Sequence, residues 1–125
     1  MPLIKSVNLI SISFQNSLDA NAKLVLKQAS LKPNAPAVIT EDQCLTFTQL
    51  AKLAAKRAGK IAQTTQNTRV GLLGDNSLST YVLALALLFS GKTIVWLNFR
   101  LSTAELMAQI DDSELDLCLV TDELW

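Results

Sequence analysis

Histidine is absent from this 125-residue sequence. Its absence excludes Ser-His-Asp and Cys-His catalysis, since both need an imidazole to take and return the proton. Cysteine is scarce: Cys44 and Cys118 lie far apart, each inside an apolar segment that reads as strand. They have neither CxxC nor metal-ligand spacing, so a zinc site would have to combine two distant thiols with carboxylates. Buried free thiols in a reducing compartment are the expectation. An excess of one charge is also missing. Eleven basic and eleven acidic side chains cancel, which removes the long-range attraction used by nucleic-acid binders and polybasic membrane binders. Neither nucleic acid nor membrane is expected as a partner. The strongly apolar residues 81–89 are followed by Ser90-Gly91-Lys92, well short of the roughly 20 residues that cross a bilayer. They read as a buried helix. Residues 1–14 carry one lysine and no small-residue cleavage pattern, so no secretory signal is expected and the cytoplasm is the default location.

The glycine-rich phosphate motifs are missing as well. Neither GxGxxG nor GxxxxGK[ST] occurs. What remains is Gly71 and Gly74 with Asp75-Asn76-Ser77, placed between a strand and a helix, where free amides at a helix N-terminus can receive phosphate. A tight βα turn is the plainer reading. Length and a hydrophobic fraction of 50% are enough for one domain, or one piece of a larger domain.

What is present is a regular alternation of helix and strand. Residues 1–16 contain the alternating Ile10, Ile12 and Phe14, a strand-like pattern without a nearby hairpin partner, and are treated as an N-terminal arm. Ser17 is placed to cap a helix with Leu18, Ala22, Val25 and Ala29 on one face, ending near Leu31 because Pro33 forbids continuation. Residues 37–40 and 44–47, joined by the polar Glu41-Asp42-Gln43, predict a β-hairpin. Thr46 and Gln49 fit a capping box that opens a helix with Phe47, Leu50, Ala51, Ala54, Ala58 and Ile61 toward the core. Its other side carries Lys52, Lys56, Arg57 and Lys60, read as a solvated face.

Residues 70–120 predict a βαβαβ run. Val70-Gly71-Leu72-Leu73 is apolar on both faces, as parallel strands are. Residues 77–89 are apolar nearly all round and need cover on more than one side. Gly91 is placed as a left-handed cap before the strand Thr93-Ile94-Val95-Trp96-Leu97. Ser102 and Glu105 form a second capping box, opening a helix that ends near Asp111-Asp112 before a strand over residues 115–120. Right-handed crossovers should join these strands.

Two groups attract a functional reading. Asp111, Asp112, Glu114 and Asp116 cluster, but with no calcium-loop spacing; an acidic, solvated helix end accounts for them. Asn98 and Arg100 lie just past the carboxyl end of a central strand, the edge where open α/β sheets bind ligands, and they are the candidate substrate-binding residues. Arginine there either meets a carboxylate or phosphate bidentately or fixes the loop through backbone carbonyls.

Taken in order, Pro36-Ala37-Val38-Ile39, Leu45-Thr46-Phe47-Thr48-Gln49-Leu50, Val70-Gly71-Leu72 with Asn76-Ser77, and Leu97-Asn98-Phe99-Arg100-Leu101-Ser102 with Glu105-Leu106 resemble the amino-terminal part of AMP-forming acyl-CoA synthetases, the adenylate-forming ligase superfamily. The segment 45–50 is similar to the family's Leu-Thr-Tyr-x-Glu-Leu, with Phe47 for tyrosine and Gln49 for glutamate. Asn98-Phe99-Arg100 is similar to Asn-Pro-Arg, with Phe99 for proline. Ser90-Gly91 stands where Ala-Gly is usual. Within the family the pattern looks most like the o-succinylbenzoate-CoA ligases of menaquinone synthesis. The resemblance covers roughly residues 24–122.

It implies an α/β fold: a Rossmann-like parallel βαβαβ sheet preceded by a helix and a β-hairpin, a partial N-terminal subdomain of the ligase fold over residues 17–125. It also implies that the full-length enzyme uses ATP, magnesium and coenzyme A on a carboxylic acid. The family's phosphate loop, ribose aspartate, hinge and catalytic lysine have no counterpart in these residues. No catalytic, metal or cofactor-binding residue is therefore carried over, and the chain alone is expected to bind no cofactor and to be inactive. The competing expectation is a self-contained Rossmann-like binding or assembly module, homo-oligomeric through exposed apolar surface.

Overall fold

The computed structural model describes residues 20–121. The arm expected over residues 1–16 and the Ser17 cap lie outside them. Helix α1 (Ala20–Leu31) leads into the strands β1 (Pro36–Ile39) and β2 (Cys44–Thr46), which pair antiparallel as the turn residues predict. Helix α2 (Phe47–Thr64) follows, then β3 (Arg69–Leu73), α3 (Leu78–Phe89), β4 (Thr93–Leu97), α4 (Thr103–Asp112) and β5 (Cys118–Val120). The last three strands form a parallel sheet in the order β4-β3-β5.

Local chemistry explains most boundaries. Thr46 Oγ1 accepts from Gln49 N at 3.2 Å while Gln49 Oε1 accepts from Thr46 N at 2.9 Å. Ser102 and Glu105 repeat that reciprocal pair at 3.2 and 3.0 Å. Each box satisfies amides that the first turn of a helix leaves free. Helix α3 ends in a Schellman motif: Gly91 has φ 73°, and the Lys92 amide bonds Leu87 O at 2.9 Å while the Gly91 amide bonds Leu88 O at 3.1 Å.

Two expectations are corrected. The last strand is Cys118–Val120 rather than residues 115–120, because α4 closes with a Schellman motif of its own. Leu115 N bonds Ile110 O at 3.3 Å and Glu114 N bonds Asp111 O at 3.1 Å, with Glu114 in the left-handed region at φ 55°. Leu115 is thus spent on the helix end. Cys44, expected to be buried, is exposed; it starts β2 beside the hairpin turn, in a two-stranded ladder. Cys118 is buried as expected.

The left-handed Glu114 supports a stability prediction. A side chain in that region costs about 1–2 kcal/mol that glycine avoids, and the exposed Arg69–Glu114 ion pair, at 3.9 Å, returns little. Glu114→Gly should therefore raise the unfolding free energy by about 0.5–1 kcal/mol, read as a higher urea midpoint at unchanged slope.

The sheet is clad on one face by the helical layer. Leu50, Ala54, Ala58 and Ile61 of α2 and Val82, Leu85 and Phe89 of α3 pack with Val70, Leu72 and Leu119. Burial of Ala54, Ala55, Ala58 and Gly59 lets α2 approach its neighbours closely. Helix α3 is covered on several sides, as its composition requires. Its buried residues include both Leu85 and Leu87. Because β4 and β5 flank β3 on opposite sides, right-handed crossovers place α3 and α4 on opposite faces. Gly71, Cys118, Leu97 and Leu115 meet on the α4 side.

The amino edge of the sheet is tied by polar bonds. The Lys92 ammonium donates to Asn67 O at 2.7 Å and Thr65 O at 3.3 Å. The buried Thr65 hydroxyl donates to the Asp116 carboxylate at 3.0 Å. The C-terminus of α2 is thereby fixed at the entrances of β4 and β5, so its N-terminus points to the opposite, carboxyl edge.

Candidate functional site

The carboxyl edge of the parallel sheet gathers the turns after β3, β4 and β5. After β3, the Ser77 amide bonds Asp75 O at 3.0 Å, and Ser77 Oγ accepts from Thr80 N at 3.3 Å and lies 3.2 Å from Thr80 Oγ1. The turn therefore uses its own hydroxyls to cap α3. After β5, the Thr121 amide bonds Leu73 O at 3.1 Å, which brings this residue against the start of the same turn. Among the described residues, Asp75 Oδ1 and Thr121 Oγ1 are both buried without a hydrogen-bond partner. Asp75 belongs to the turn the sequence singles out. Thr121 was missed, because nothing local marks a hydroxyl that becomes buried only through strand pairing.

The turn after β4 holds the two candidate residues. Asn98 Oδ1 accepts from the Arg100 amide at 3.0 Å, and the Leu101 amide bonds Asn98 O at 3.1 Å. Asn98 is thus the residue that shapes the turn. Arg100 is exposed, with its guanidinium 5.6 Å from the centroid of the Phe99 ring, a cation–π distance. Among the described residues the guanidinium has no ion-pair or hydrogen-bond partner. Of the two roles open to it, fixing the loop through carbonyls is taken by Asn98 and by the backbone. The structure brings Asn98 and Arg100 together in one turn, and it separates them in role.

The β3 turn is closely packed at Gly74. A Cβ at Gly74 would fall 2.8 Å from Thr80 Cγ2 and 3.0 Å from Thr80 Cβ, so the glycine is filled by threonine rather than open to a ligand. The acidic cluster is likewise structural in geometry: Asp116 takes the Thr65 hydroxyl and Glu114 faces Arg69. Among the described residues no group of three His, Cys, Asp or Glu is placed to hold a metal ion. Burial, reinforced by the nearby Asp116 carboxylate, pushes the Cys118 thiol above its ordinary pKa, which keeps it protonated and unreactive.

The family described as AMP-binding enzyme matches residues 25–124. This chain belongs to that family. Among curated relatives, the 2-succinylbenzoate–CoA ligase of Bacillus cereus (strain Q1) is 33% identical over 101 residues, covering 79% of this chain and 21% of the relative. The enzyme of the same name from Bacillus anthracis (strain A0248) is 36% identical over 101 residues, covering 78% of this chain and 21% of its own length. The chain thus spans about a fifth of these AMP-binding relatives. Among solved structures, the o-succinylbenzoate coenzyme A synthetase MenE of Bacillus subtilis in complex with AMP superposes with a TM-score of 0.72 at 28% identity, covering 79% of this chain and 26% of that one. The NpsA N-terminal subdomain of Klebsiella oxytoca superposes with a TM-score of 0.70 at 18% identity, covering 84% of this chain and 28% of that one, and shows the shared fold. The described elements are therefore part of the AMP-binding fold, matching the N-terminal part of o-succinylbenzoate-CoA ligase. Among the described residues no helix is long and apolar enough to cross a membrane.

Proposed function

We propose that this chain is the N-terminal portion, residues 17–125, of a cytoplasmic, ATP-dependent, AMP-forming acid–CoA ligase acting on o-succinylbenzoate in menaquinone synthesis, and that alone it does not complete the reaction. The observation that carries the reading is the match of residues 25–124 to the AMP-binding family, supported by relatives that share one activity name. In the full-length ligase ATP, magnesium and coenzyme A act on the carboxylic acid. The residues of this chain contribute scaffold: β3, β4 and β5 hold their exit turns at one edge, where a ligand of an α/β sheet lies.

Within that edge, Asn98 and Arg100 are the substrate-side pair. Asn98 sets the turn through its own carbonyl oxygen, which leaves its amide nitrogen as a donor. Arg100, held over Phe99, offers a planar fork suited to a carboxylate or phosphate. No step of adenylation is assigned to either residue.

ATP–pyrophosphate exchange driven by 2-succinylbenzoate is the direct test. The purified chain should show no exchange above the blank, and clear exchange would sink the claim of inactivity. The Arg100 role is read in a chimera in which residues 25–124 replace the matching segment of the Bacillus cereus ligase. The chimera should form the CoA thioester, and Arg100→Ala should raise the KM for acid or ATP by about tenfold, the scale of one lost charge-assisted contact. An unchanged KM would remove Arg100 from the substrate site.

A further inference from the structure

We propose that the outward face of α1 and α2 is a docking surface for an anionic lipid membrane, bound peripherally. The zero net charge sums over two regions of opposite sign. Residues 20–74 contain eight basic and two acidic side chains, and residues 75–121 contain two basic and six acidic ones. Neither α1 nor α2 contains any acidic residue. Lys23 and Lys27 on α1, Lys32 just beyond it, and Lys52, Lys56 and Lys60 on α2 are all exposed. Among the described residues there is one ion pair, Arg69–Glu114, and it involves none of these lysines. Lys52, Lys56 and Lys60 repeat at i, i+4 and i+8, a single stripe opposite the buried Leu50, Ala54, Ala58 and Ile61.

The second observation is apolar. Helix α1 buries Ala22 and half-buries Val25, Leu26 and Ala29, which places Leu24, Lys27 and Leu31, at i, i+3 and i+7, on its outer pole. Leu24 is 58% exposed and Leu31 64% exposed. Two exposed leucines are thus set among these lysines. Hydrocarbon between cationic heads is what an anionic bilayer surface accepts, with leucines entering the acyl boundary and lysine stems following while their ammonium groups stay at the phosphates. Nucleic acid is also met by lysines at its phosphates, but its bases are read and stacked on by arginines and aromatic platforms. Here the single arginine, Arg57, is half-buried and the one aromatic, Phe47, is half-buried too.

Co-sedimentation of the 125-residue chain with vesicles tests this. Binding to phosphatidylcholine–phosphatidylglycerol vesicles, absent with phosphatidylcholine alone and weakened by salt, is expected. Lys52→Gln/Lys56→Gln/Lys60→Gln should weaken it about a hundredfold, from the roughly fivefold that each lysine near an anionic surface contributes. Leu24→Gln/Leu31→Gln leaves the charge unchanged and should weaken it by about tenfold or more. All five positions are solvent-facing, and far-UV circular dichroism confirms that the variants fold. Equal binding to neutral vesicles, no binding to either, or full affinity in the leucine variant would overturn the proposal. Tighter binding to a duplex oligonucleotide, insensitive to the leucines, would overturn it in favour of a nucleic-acid partner.

Discussion

Replacing Phe89 by alanine is expected to lower the unfolding free energy by about 3–5 kcal/mol. Phe89 closes α3 at 1% exposure, in the core that joins α2 and α3 to β3 and β5. Truncation removes the transfer free energy of the ring and leaves a cavity. The cavity cannot collapse easily: Phe89 is followed at once by the Gly91 Schellman turn and by Lys92, whose ammonium is tied to Thr65 O and Asn67 O. Small domains are stable by about 5–15 kcal/mol, so this one change removes roughly a fifth of the total or more. A urea melt followed by circular dichroism measures it. Phe89→Leu, which retains most of the volume, should cost much less. Equal losses for the two variants would mean that the ring fills no well-packed site.

Features whose cause lies within four residues were legible in the sequence. Both capping boxes, the left-handed Gly91 and the hairpin turn rest on side chains that bond their own neighbourhood, and each is found where the spacing places it. The parallel run was legible because its strands carry the continuous apolar residues typical of parallel sheets. The length of β5 was not. It depends on a glutamate taking a left-handed conformation that sequence would reserve for glycine or asparagine. Cys44 was misjudged because an apolar strand segment reads alike whether its sheet has two strands or three. Lys92 reads as the residue after a cap, whereas in the fold it binds carbonyls more than twenty positions away. The site is legible to the same extent. Asn98 and Arg100 were found by their place after a strand; their division into turn-former and free guanidinium needed the side-chain geometry.

Gly74→Ala is expected to destabilise the fold at the upper end of about 1–3 kcal/mol. Among the described residues Gly91 is the one glycine with positive φ, so at Gly74 the demand is for space. An added Cβ would meet the Oγ1, Cγ2 and Cβ atoms of Thr80. Thr80 is 8% exposed, β-branched and inside the first turn of α3, where few rotamers are open to it, so the turn itself must shift. Gly71 differs in degree. Its added Cβ would meet Cys118 Sγ at 2.8 Å and Leu115 Cδ1 at 2.9 Å, and the leucine end can move aside. Pairing Gly74→Ala with Thr80→Ala should relieve the clash. In urea melts the double variant is therefore expected to be more stable than the sum of the two single losses. Two glycines that served only to admit a phosphate would leave stability unchanged when replaced, and additive or null effects would restore that reading of the turn.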